Sequence, residues 1–167
     1  FFVISGFLMT KIIVNGLEKN ALSATNSPFS IISFYLSRAR RIIPALLALC
    51  AILLLAGWWY LPAVEYETLG MHVASALLFV SNITFWQEAG YFDIDSHDKL
   101  LLHTWSLSVE WQFYLILPLV LLAVWKIRPG RGAQIFAIAA GLVLSLLLCI
   151  VATPIRPSAA FYLLPTR

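Results

Sequence analysis

Between Leu100 and Pro118 the chain reads LLLHTWSLSVEWQFYLILP, an apolar run broken by His103, Ser106, Ser108, Glu110 and Gln112. Glu110 carries the chemistry. A carboxylate inside a spanning segment costs about 2.5–3.5 kcal/mol on insertion scales, so such a residue faces a cavity or a partner and marks a functional site. On a helix, His103, Ser106, Glu110 and Tyr114 share one stripe, with His103 about 10 Å along the axis from Glu110. Trp105, Ser108 and Gln112 form the neighbouring stripe. A histidine and a carboxylate on one face can take a proton from a hydroxyl, the carboxylate orienting the imidazole or stabilising its cation. The competing role is adhesive, a polar stripe that joins helices by hydrogen bonds. An ionisable group is more than adhesion needs, so Glu110 and His103 are the catalytic candidates, with Ser106, Trp105 and Tyr114 in the surrounding wall. Pro118 frees the carbonyl of Tyr114 and predicts a kink below this cluster.

A second group of candidates is basic. Phe29 to Ile43 alternates apolar residues with serines and with Arg38, Arg40 and Arg41, the pattern of a short amphipathic helix lying at a membrane interface. Arg38 and Arg41 are i, i+3 neighbours on one face and Arg40 is turned aside. Two roles fit: an anchor on lipid phosphates, or a clamp whose guanidinium forks grip the phosphates of an anionic cofactor.

These residues need elements to hold them, and composition says which. The 167 residues are 61% hydrophobic and 11% charged, with a mean hydropathy of +0.89. That describes an all-α, polytopic transmembrane bundle rather than a soluble domain. Phe1–Val14 reads as the latter part of one span and Asn15–Pro28 as a loop. Ile43–Leu61 is a second span, closed by Trp58, Trp59 and Tyr60 as an interfacial belt. The polar-stripe helix ending near Trp125 is a third, and Ala133–Ala152 a fourth. The net charge of +3 is carried between spans, a topological signal with no basic and aromatic interleaving of the nucleic-acid kind.

Val64–Thr84 is the exception. Were it to cross, the acidic loop Gln87–Lys99 and the basic turn Lys126–Arg131 would lie on the sides that invert the positive-inside rule. The expectation is therefore that this segment, or its connecting loop, dips in and returns, with Asn82 on the wall of a cavity where irregular backbone is tolerated.

The residues already singled out also carry a resemblance. HTWSLSVEWQFYLILP resembles the signature of the integral-membrane acyltransferase family 3, which includes bacterial O-acetyltransferases of lipopolysaccharide and peptidoglycan. FFVISGFLMT (Phe1–Thr10) and FYLSRARRIIPAL (Phe34–Leu46) are similar to two further stretches of that family. SNITFW at Ser81–Trp86, YFD at Tyr91–Asp93 and the closing FYLLPTR are weaker echoes in the same order. The resemblance implies a single membrane-embedded acyltransferase domain over residues 1–167, in the bacterial inner membrane. It implies transfer of an acyl group, acetyl by expectation, from acyl-CoA to a hydroxyl of an envelope glycan. It further implies that Arg38 and Arg41 bind the acyl-CoA donor, that Ser5 lies near the active centre, and that His103 shapes the pocket. The histidine usually assigned as catalytic belongs to a preceding helix of the family, so the chain reads as a fragment inactive alone.

No permanently bound cofactor and no metal is expected. Asp93, Asp95, His97 and Asp98 lack a fixed ligand frame, and Cys50 and Cys149 lie in apolar runs without metal or disulfide spacing. His72 is expected to be interfacial or solvated. Two other classes remain open on residues alone: a proton-coupled transporter using Glu110 as a relay, for which no internal repeat is seen, and a membrane scaffold in which Glu110 and the arginines are dispensable.

Overall fold

The computed structural model describes residues 2–22, 30–89 and 100–166. Among them are seven α-helices: α1 (Phe2–Leu22), α2 (Ile31–Tyr60), α3 (Ala63–Leu77), α4 (Ser81–Glu88), α5 (Thr104–Ile127), α6 (Arg131–Ile155) and α7 (Pro157–Tyr162), followed by a 3-10 turn at Leu164–Thr166. No strand occurs among the described residues, as the all-α reading requires. Helices α2, α5 and α6 are each long and apolar enough to cross a membrane. Helix α1 has 21 residues, about 31 Å, which is also a crossing length although Lys11 and Glu18 interrupt it. Asp93, Asp95, His97 and Asp98 and the YFD motif lie outside the described residues.

Two boundaries differ from the sequence reading. The chain does not loop at Asn15, because α1 continues to Leu22. Nor is there a separate interfacial helix over Phe29–Ile43, since α2 runs unbroken from Ile31 to Tyr60 with Pro44 inside it. Proline removes one backbone donor, and the apolar packing on both sides of Pro44 carries the helix through. Thirty residues span about 45 Å, the full depth of a bilayer with its headgroups, so the amphipathic turns are one end of the same rod. Its start is capped by Ser30, whose Oγ accepts from the Ser33 N–H at 3.3 Å.

Two apolar clusters hold the bundle together. Met9, Ile13 and Leu17 of α1 pack with Phe34 of α2 and with Tyr114 and Leu121 of α5. Leu46 and Cys50 of α2 pack with Leu69, Val73 and Ala76 of α3, with Phe79 and with Leu101. In a membrane these contacts act through close packing rather than water exclusion. Gly57 shows how close: a Cβ there would come within 2.8 Å of the buried Leu69 side chain.

Helices α3 and α4 form a hairpin over the segment expected not to cross. At 15 residues, α3 is about 22 Å long, short of the ~30 Å hydrocarbon core. It ends in a left-handed cap: the Val80 N–H donates to the Ser75 carbonyl at 2.9 Å and the Phe79 N–H to Ala76 at 3.1 Å, a Schellman pattern. Phe79 occupies the left-handed position with φ +56°, where glycine is usual. The chain then turns back. His72 Nε2 and Glu88 Oε1, eight residues either side of Val80, are 2.8 Å apart, and the apex rests against Trp111 and Gln112 near the middle of α5. His72 is therefore buried within the hairpin, which corrects the solvated half of the interfacial-or-solvated expectation.

Candidate active site

Glu110 lies one turn before Tyr114 on the face of α5 that meets α1. It is 6% exposed. Its Oε1 accepts a hydrogen bond from Ser5 Oγ at 3.2 Å and a very short one from the Tyr114 hydroxyl. The Ser5 and Tyr114 hydroxyl oxygens are 2.5 Å apart. Three oxygens from two helices thus form a closed triangle. Gly6 faces Phe113 next to the triangle, where a Cβ would make an ordinary contact at 3.5 Å.

Arg38 stands beside this triangle. Its helix is fastened to α5 one residue from Tyr114, the Tyr35 hydroxyl donating to the Leu115 carbonyl at 2.9 Å. The guanidinium lies 5.7 Å from the centre of the Phe34 ring, within cation–π range, and Phe34 packs in the same cluster as Tyr114. Its Nε is buried and has no hydrogen-bond partner. Arg40 and Arg41 are both exposed. The expected common face of Arg38 and Arg41 is therefore divided: Arg38 turns toward the cluster and Arg41 outward.

The remaining candidates lie elsewhere. His103 precedes the first turn of α5 and is exposed, because Thr104, not Leu100, begins the helix. Thr104 folds the preceding turn onto itself, its N–H and Oγ1 both donating to the Leu101 carbonyl at 2.9 and 2.8 Å. His103 is consequently not among the hydrogen-bond partners of Glu110, and its backbone carbonyl accepts from Ser106 Oγ at 3.0 Å. Trp105 packs against Phe161 and Tyr162, with ring centres 4.7 and 5.5 Å away. Helix α5 continues through the buried Pro118 to Ile127.

Asn82, expected on a cavity wall, is 1% exposed and tied down on three sides. Gln112 Nε2 donates to its Oδ1 at 2.9 Å, and its own Nδ2 donates to Gln112 Oε1 at 3.5 Å and to the Tyr162 carbonyl at 3.2 Å. Gln112 Nε2 also donates to the Phe79 carbonyl at 3.0 Å. One turn away, Ser81 and Ser108 hydroxyls are 2.7 Å apart and Thr104 Oγ1 donates to Ser81 Oγ at 3.1 Å. This second face of α5 fixes the hairpin, while the Glu110 face holds the titratable group. Gln112 was legible as part of the polar stripe. Phe79 was not, since nothing in a phenylalanine announces a left-handed backbone.

The chain is similar to known proteins along almost its whole length. The model of the acyltransferase domain of family 3 matches residues 1–164. An uncharacterised Haemophilus influenzae protein is 36% identical over 126 residues, covering 75% of this chain and 49% of that protein. The peptidoglycan O-acetyltransferase OatA of Listeria monocytogenes is 32% identical over 171 residues, 100% of this chain and 26% of that protein. The O-acetyltransferase OatA of Staphylococcus aureus is 29% identical over 154 residues, 90% and 24% respectively. The chain thus spans about half the length of the first relative and about a quarter of the other two. No solved structure matches it. A match across nearly the whole chain, over the same helices that build the Ser5–Glu110–Tyr114 triangle, places this protein in the integral-membrane acyltransferase family 3.

Proposed function

We propose that the chain belongs to a membrane O-acyltransferase that moves an acyl group, acetyl in the simplest case, from acyl-CoA to a hydroxyl of an envelope glycan. The observation that carries this reading is the buried Ser5–Glu110–Tyr114 triangle with the unpartnered Nε of Arg38 beside it. The acceptor hydroxyl gives its proton to the Glu110 carboxylate as its oxygen attacks the thioester carbonyl. The tetrahedral intermediate collapses by breaking the C–S bond, and CoA leaves as the thiol by taking the proton from Glu110, which restores the carboxylate. Arg38 supplies positive charge and a donor where negative charge develops on the carbonyl oxygen. Tyr114 and Ser5 hold Oε1 in place, so Glu110 does not have to be reorganised as the proton moves.

The distribution of charge supports a donor in the cytoplasm of the cell and a location in the inner membrane. Arg38, Arg40 and Arg41 lie at the same end of the bundle as Lys126, Arg128 and Arg131, because α2 and α6 both run antiparallel to α5. Glu65, Glu67 and Glu88 belong to the opposite end. By the positive-inside rule the basic end is cytoplasmic, which is where acyl-CoA and its phosphates would meet Arg41.

The test is Glu110→Gln in the full-length protein, assayed for acyl transfer per amount inserted. Glutamine keeps the shape and accepts the same hydrogen bonds but cannot take the acceptor's proton. Activity falls by about 10²–10⁴-fold, the usual contribution of acid–base catalysis. A fully active, normally inserted variant removes Glu110 from the mechanism.

A further inference from the structure

Away from the triangle, the basic end of the bundle holds a cleft of about 860 Å³ between the last turn of α5 and the first turns of α6. Its walls are apolar, from Val124, Ile127, Ala133, Phe136 and Ala137, and Arg128 stands at its rim. The volume lies in the ~300–1,000 Å³ range typical of small-ligand sites. The cleft is kept open by the turn itself. Pro129 and Gly130 separate the helices, and Gly130 adopts φ +143°, a conformation side chains rarely tolerate, so no bulk fills the mouth.

We propose that this cleft binds one anionic phospholipid, with an acyl chain along the Val124–Phe136 wall and the headgroup phosphate at Arg128. Charge complementarity chooses this occupant. Arg131, the nearest cation on α6, is already committed, its Nε pairing with Glu18 Oε1 at 2.6 Å and its Nη2 donating to Asn15 Oδ1 at 3.3 Å. Among the described residues neither Lys126 nor Arg128 has an acidic partner, and both are exposed. An apolar wall ending in Arg128, with Lys126 two residues before it, matches a lipid, apolar below and anionic above, and basic pockets between helices on the cytoplasmic side favour anionic headgroups. A free phosphate would leave the apolar wall unused. A neutral lipid would leave Arg128 unused.

The experiment uses the full-length protein in nanodiscs containing traces of phosphatidylglycerol with a photoactivatable acyl chain, or of phosphatidylcholine labelled in the same way. Expected is cross-linking to the peptide spanning 124–137, several-fold greater for phosphatidylglycerol and displaced by the unlabelled anionic lipid. Arg128→Gln reduces it about fivefold, the worth of one cation near a headgroup. Ala137→Phe, which fills the apolar wall and leaves the charges in place, abolishes it, whereas Arg40→Gln at the same membrane face leaves it unchanged. Equal labelling by both lipids, or equal losses with Arg128→Gln and Arg40→Gln, overturns the proposal in favour of unselective annular lipid. Absence of labelling at 124–137 overturns it in favour of another part of the protein covering the cleft. Lipid labelling is read independently of acyl transfer, so either idea can fail alone.

Discussion

Gln112 donates from Nε2 to the backbone carbonyl of Phe79 at 3.0 Å, and Phe79 is the non-glycine residue with positive φ among the described residues. A left-handed backbone costs an L-residue roughly 1–2 kcal/mol. The Phe79 ring stacks on Trp111 at 4.6 Å and 17°, worth about 0.5–1.5 kcal/mol, so stacking roughly offsets the strain and the Gln112 bond decides in favour of the turn. The hairpin apex is thus held by two consecutive residues of α5, immediately after Glu110.

Gln112→Leu keeps the side-chain size and strands both the Phe79 carbonyl and the Asn82 amide. Each unsatisfied buried group costs about 1–3 kcal/mol. Thermal unfolding of the purified protein in detergent should show a clear loss of stability. The change Thr68→Val, which removes an exposed hydroxyl bonded only to the Val64 carbonyl in its own helix, should have little effect. Equal stability of the Gln112 and Thr68 variants would show that the apex does not depend on Gln112.

Ser5 and Tyr114 donate to the same oxygen of Glu110 and lie against each other. Their effects on acyl transfer should therefore be non-additive. Tyr114→Phe lowers turnover more than Ser5→Ala, and the double variant loses less than the product of the two single losses. A coupling energy of at least about 0.5 kcal/mol in the double-mutant cycle is expected for residues in one network. Independent, multiplicative losses would mean that the two hydroxyls serve Glu110 separately.

The three arginines should separate by burial. Arg38→Lys removes the planar fork beside Tyr114 and reduces turnover at saturating donor, because a lysine cannot reproduce a donor placed at Nε. Arg41→Lys raises the donor KM and leaves turnover closer to normal, as expected for an exposed group that meets the donor at the membrane face. Arg40→Lys changes neither appreciably. Equal small effects at all three positions would return the group to lipid anchoring.

Topology offers a test that needs no activity. In a background lacking Cys50 and Cys149, single cysteines at Glu65 and Gln87, before and after the α3–α4 hairpin, should label from the same side of the membrane. A cysteine at Arg128 should label from the other. Labelling of positions 65 and 87 from opposite sides would mean that the hairpin crosses.

Periodicity and charge were enough to determine the class of this protein. Apolar runs of spanning length, a carboxylate inside one of them, basic residues at alternate junctions and a segment too polar to cross all follow from local sequence, because a bilayer penalises every charge and every unpaired amide within it. The ordered motifs then named the family. Which polar residues meet was decided only by tertiary structure. Helical spacing placed His103 and Glu110 on one stripe, but the helix begins at Thr104 and leaves His103 exposed, while Ser5, 105 residues away in sequence, supplies the contact. Arg38 and Arg41 looked equivalent on one helix, and only the packing of α2 against α5, Phe34 against Tyr114, separates them. The turn at Phe79 has no sequence signal because its strain is offset by Trp111 and Gln112, residues of another helix, and local propensity cannot register a partner that only folding brings near.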